Sequence, residues 1–112
     1  GSFAAASNLT GALEDTDAIT EILHRGGALS FWDYATAAPY VEMDMNPDAP
    51  KESDNHLLAK DAIFISGHKF LGGPGTPGVL VCKKKLFTGS SPAVPGGGTV
   101  LFVTSTDHAY IR

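Results

Sequence analysis

At 112 residues, 43% of them hydrophobic and 18% charged, the chain suits one compact domain with a core and is too apolar for a disordered segment. Its 12 acidic side chains outnumber the 8 basic ones, and a formal charge of −4 argues against a nucleic-acid-binding role. The lone Cys82 rules out an internal disulfide framework, and no apolar stretch approaches the length of a membrane span.

Residues 2–7 are small and apolar and predict a short buried strand ending at Ser7-Asn8, with turn chemistry at Thr10-Gly11. Asp15-Thr16-Asp17 offers an N-cap to a helix on which Ile19, Ile22 and Leu23 share a face, and Gly26-Gly27 stops it. His24 at its end suits the helix dipole and reads as structural. The apolar run 28–32 leads to Asp33, and Val41-Glu42-Met43-Asp44-Met45 alternates as a short strand with one wet face would. Residues 46–55 read as an exposed loop. Segments 62–65, 79–82 and 100–103 are three more strands bounded by glycine or proline. Cys82 then reads as a buried structural thiol, and Lys83-Lys84-Lys85 as a solvated strand end.

Strand, helix and strand in succession predict an α/β fold with a mainly parallel sheet flanked by helices. One helix is too few to cover two faces of such a sheet, so residues 1–112 are expected to be part of a larger α/β subunit. The start Gly1-Ser2-Phe3-Ala4 lacks the basic region of a signal peptide, and a reducing, cytoplasmic location is the expectation.

The densest chemistry lies at Ser66-Gly67-His68-Lys69, launched from a strand and followed by the glycine-rich stretch 72–78. A lysine there stands where the carboxyl edge of a sheet opens into a crevice, the usual ligand site of α/β folds. Partial desolvation at such a place favours the neutral amine that can form a Schiff base; the plain alternative is a surface lysine. Asp33 ends an apolar strand, where a carboxylate either serves a ligand, such as a heterocyclic nitrogen, or caps the next turn. Ala35 is small enough to admit a flat ring, and Asn8 could donate to a phenolic oxygen or simply sit in a turn. Ser66 and His68 could bind a phosphate dianion. The loop 73–78 lacks the lysine–serine or lysine–threonine ending of a nucleotide P-loop, and Gly96-Gly97-Gly98-Thr99 reads as a turn or an anion approach.

Taken in order, Ser7-Asn8-Leu9-Thr10-Gly11, Gly27-Ala28-Leu29 leading to Asp33-Tyr34-Ala35, Ser66-Gly67-His68-Lys69 with Gly72-Gly73-Pro74-Gly75, and Gly96-Gly97-Gly98-Thr99 resemble one family. It is the class V aminotransferase and cysteine desulfurase family of fold-type-I pyridoxal-phosphate enzymes. The resemblance implies a partial large domain over 1–112, with the upstream part and the small C-terminal domain elsewhere. It implies pyridoxal 5'-phosphate as cofactor, an amino acid as substrate and a homodimeric parent. Lys69 resembles the lysine of the internal aldimine and proton shuttle, Asp33 the partner of the pyridine nitrogen, and Asn8 the contact to the phenolic oxygen. Ser66 and His68 resemble phosphate ligands, and Gly98-Thr99 a segment that reaches the neighbouring subunit's phosphate. Thr36 stands where cysteine desulfurases usually carry glutamine, and Cys82 does not match their mobile-loop cysteine. A non-catalytic α/β scaffold that keeps the fold, or a module holding another phosphorylated ligand non-covalently, would need neither Lys69 nor a chromophore.

Overall fold

The core is organised around Trp32, whose side chain is completely buried in the middle of the strand β2 (Phe31–Asp33). In the computed structural model, which describes residues 1–89 and 100–110, β2 runs parallel to β1 (Ser2–Ala4) on one side and to β3 (Ala62–Ser66) on the other. The strand β4 (Gly78–Cys82) adds antiparallel to β3, so the sheet has the order β1-β2-β3-β4 and is mostly parallel. The parallel pairs are those separated by long crossovers, whereas β3 and β4 are joined by a loop short enough for a hairpin.

Register then divides the side chains between two faces. Phe3, Trp32, Ile63 and Val81 stand side by side on one face, and Ala4, Asp33, Phe64 and Leu80 on the other. The first face meets the helix α1 (Thr16–Arg25), and Ala5, Ala6, Trp32, Tyr34, Ala37, Ala38 and Ile63 form the core, with Ile19 packed against it. The second face has Phe31 and Phe64 in edge contact at 6.5 Å and leaves Phe64 and Leu80 exposed.

The helix starts where expected, since the Asp15 carboxylate accepts the Ala18 N–H at 3.0 Å, and it stops at Gly26, followed by Gly27 at φ 73°. Its buried face differs from the expected one. Ile22 is 70% exposed, and Thr20 is fully buried in its place. The Thr20 hydroxyl lies 2.7 Å from Ser30 Oγ, and both oxygens accept the Trp32 indole N–H, at 2.9 and 2.8 Å. A buried indole needs an acceptor, and isoleucine has none to give.

Residues 41–45 are not a strand. Their alternation is real, since Val41, Met43 and Met45 pack on the core while Glu42 and Asp44 face solvent, but no neighbouring strand offers a ladder. Backbone bonds from Val41 N to Ala37 O and from Lys60 N to Met45 O, and the buried Lys60 ammonium, which donates to Asp17 Oδ1 at 2.6 Å and to Asp44 O at 3.0 Å, hold the segment down. The loop that follows gains a short helix, α2 (Asn55–Leu58). The strand β5 (Val100–Val103) pairs antiparallel with β6 (His108–Tyr110) in a separate two-stranded sheet. Among the described residues no helix is long and apolar enough to cross a membrane.

The amino edge of the four-stranded sheet is knotted by Asp61. Its Oδ2 accepts from Ser30 N at 3.0 Å and from His24 Nε2 at 2.8 Å, while Oδ1 lies 3.3 Å from Lys83 Nζ and 3.4 Å from Lys85 Nζ. Those last two are charge contacts without aligned hydrogen bonds. Burial by itself would raise this carboxyl, but the Ser30 N–H, the His24 ring and the Lys83 ammonium outweigh it and hold the group well below the usual carboxylate range. Two of the three clustered lysines are thus engaged with a buried charge, so the expected solvated strand end holds only in part. Cys82, expected to be buried, is half-buried at the sheet edge.

Candidate functional site

Because β1, β2 and β3 run the same way, their carboxyl ends share one edge, opposite the Asp61 knot. There Asp33 ends β2 and Ser66 ends β3, with Gly78 of β4 facing Ser66 in register. A depression of about 320 Å³ opens at this edge, lined by Asp33, Ala35, Phe64, Ser66, Gly78 and Leu80 among others. That volume is within the roughly 300–1,000 Å³ common for small-molecule sites. Three of the residues singled out from the sequence, Asp33, Ala35 and Ser66, therefore line one concavity.

Asp33 is exposed. Its Oδ1 accepts the Ala35 N–H at 2.7 Å and so caps the turn after β2. Among the described residues no other group of the chain binds that carboxylate. Ala35 lines the depression beside it.

Lys69 and His68 belong to a 3-10 turn, Gly67–Lys69, that begins the loop from β3 to β4. Both are exposed, so among the described residues nothing supplies the desolvation expected around the Lys69 amine. They stand beyond the lining of the depression, on the loop that leaves it. Asn8 also lies past the carboxyl end of β1, on an exposed turn in which Ser7 Oγ accepts Leu9 N at 3.3 Å and Thr10 N at 3.2 Å. Gly98 and Thr99 lie outside the described residues.

The sequence reading missed Phe64 and Leu80, which wall the depression, and Thr76, which braces the lysine loop. The signal for the first two was available, because pairing Ser66 with Gly78 puts both on the Asp33 face. Thr76 could not be found without the loop's own shape.

The aminotransferase class-V family profile matches residues 2–111. A probable cysteine desulfurase of Halalkalibacterium halodurans is 33% identical over 104 residues, which are 93% of this chain and 23% of that protein. A probable cysteine desulfurase of Treponema pallidum is 33% identical over 109 residues, 97% of this chain and 24% of that protein. Among solved structures, the cysteine desulfurase CsdA of Escherichia coli superposes with a TM-score of 0.67 at 28% identity, covering 98% of this chain and 25% of that one. The chain spans about a quarter of the length of the relatives it matches.

Proposed function

Since the chain belongs to the aminotransferase class-V family, we propose that it is the cofactor-anchoring core of a pyridoxal-phosphate-dependent enzyme acting on an amino acid. The observation that carries this reading is the convergence of Asp33, Ala35 and Ser66 on one depression, with Lys69 on the loop leaving it. The donor set suits the cofactor: a carboxylate for a protonated ring nitrogen, a small residue beneath a flat ring, a hydroxyl for a phosphate and an amine for an aldehyde. When bound, pyridoxal phosphate supplies an electron-withdrawing ring that stabilises negative charge at the substrate Cα.

The chain's own residues divide the remaining work. The Asp33 carboxylate would hold a proton on the ring nitrogen, since an ion pair there keeps a ring cationic. Ser66 and His68 would donate to the phosphate, and Asn8 to the phenolic oxygen. Lys69 would hold the cofactor through its amine and serve as the group that moves the substrate's Cα proton. Gly98-Thr99 would contribute to the neighbouring subunit's phosphate site in a homodimer. The match to about a quarter of each relative supports a large-domain segment of a longer subunit, one with little activity by itself. The names of the relatives favour cysteine as the amino acid; transamination of another amino acid is the alternative within the family.

The test is an absorbance spectrum of the full-length protein with added pyridoxal phosphate, before and after borohydride, beside Lys69→Ala. The expected result is a visible band that borohydride removes while adding the pyridoxyl mass to the Lys69 peptide, with neither change in the variant. A folded protein that shows no band leaves a non-catalytic scaffold as the better account.

A further inference from the structure

The lysine loop is braced against itself. Between β3 and β4 three successive turns close, from Phe70 N to Gly67 O at 3.1 Å, from Gly73 N to Phe70 O at 2.9 Å and from Thr76 N to Gly73 O at 3.0 Å. The Thr76 hydroxyl adds a bond to the same Gly73 carbonyl at 2.7 Å. The loop's far end is seated on its near end: a Cβ added at Gly67 would stand 2.9 Å from Thr76 Oγ1, and one added at Gly73 would collide with the Gly67 carbonyl. Gly67 is also the first residue of the turn that carries Lys69.

Lys69 is exposed, so packing around its side chain does not set where its amine stands. What the fold does set is the place and direction from which that side chain leaves the turn. We propose that Thr76 is the positioning residue for Lys69: its hydroxyl, by tying Gly73 O and covering Gly67, fixes the turn from which the amine reaches the depression. Attachment of the cofactor and proton transfer both require an amine placed to a fraction of an ångström, and a misplacement of about 1 Å can cost about a hundredfold. The proposal rests on the cofactor reading of Lys69 given above.

The test uses cofactor-free full-length protein as wild type, Thr76→Val and Thr76→Ser. One readout is amide hydrogen exchange at Phe70, Gly73 and Thr76; the other is the rate at which added pyridoxal phosphate becomes fixed by borohydride on the Lys69 peptide. In Thr76→Val, exchange at Gly73 and Thr76 should rise about fivefold, the loss of one net hydrogen bond. Fixation on Lys69 should slow about tenfold. Thr76→Ser, which keeps the hydroxyl, should restore both, and the Val81 amide in β4 should be unchanged throughout. Faster exchange with unchanged fixation would reduce Thr76 to a loop staple and overturn the proposal. Slower fixation without faster exchange would overturn it too, because the hydroxyl would then act on the cofactor and not through the turn. Failure of Thr76→Ser to restore the wild-type values would assign the effect to the methyl group, with the same consequence. A folded wild type that takes no cofactor on Lys69 would overturn the functional reading itself, an outcome distinct from the others.

Discussion

Asp61 remains charged although its side chain has no accessible surface, because four partners from three parts of the chain converge on it. His24 at the end of α1, Ser30 before β2, and Lys83 and Lys85 after β4 all face a carboxylate at the start of β3. Its neighbour Lys60 ties the same segment to α1 a second time, through Asp17 at 2.6 Å, and Asp61 adds the segments at Ser30 and at Lys83 and Lys85, so the residue acts as a clasp of the sheet's amino edge. Asp61→Asn should lower stability by about 3 kcal/mol, the low end for breaking a buried ion pair, since Lys83 and Lys85 are partly solvated. Urea unfolding measures it. The carboxyl's folded-state pKa lies below the roughly 3.9 of an unfolded aspartate. Its stabilisation is therefore fully present above about pH 4 and is lost as pH falls toward the depressed folded value. The variant's stability should accordingly fall less steeply with acid than that of the wild type; superimposable acid limbs would contradict this account. Nothing in the sequence marked Asp61, because its partners come from distant segments that only folding brings to one carboxylate.

At the scale of elements, the local rules were legible and the partners were not. The cap at Asp15, the stop at Gly26-Gly27 and the strands at 62–65 and 79–82 follow from turn chemistry and apolar runs. Asp15→Ala removes the acceptor for Ala18 N and should cost about 1 kcal/mol in thermal or chemical unfolding. A helix face, by contrast, is chosen by what lies opposite it. Three apolar residues suggested Ile22 as an inward position, but Trp32 brought an N–H that only Thr20 and Ser30 could accept. Segment 41–45 makes the same point for strands: its alternation of wet and dry side chains is correct, and the element is absent because a strand is defined by a neighbour it does not have.

For the whole molecule, both faces of the sheet keep apolar side chains open. Helix α1 covers Trp32 at the centre of one face but leaves Phe3 and Val81 45% and 41% exposed there, and Phe64 and Leu80 are 40% and 53% exposed on the other, beside the depression. An apolar surface of this kind favours association. The 112-residue chain by itself should form dimers or larger species in sedimentation at micromolar concentration, and Leu80→Lys should shift it toward monomer; a monomeric parent chain would show that the face tolerates water. Composition, turn residues and the order of short motifs sufficed to establish an α/β class and the family, because each depends on residues close together in the chain, whereas the buried strand expected over 2–7 is an exposed one that ends at Ala4. Which carboxylate is buried, which helix face turns inward, and that Asp33, Ala35 and Ser66 line one depression depend on contacts between distant segments. Those contacts are selected by packing and by the need to satisfy buried polar groups, and no local pattern encodes them.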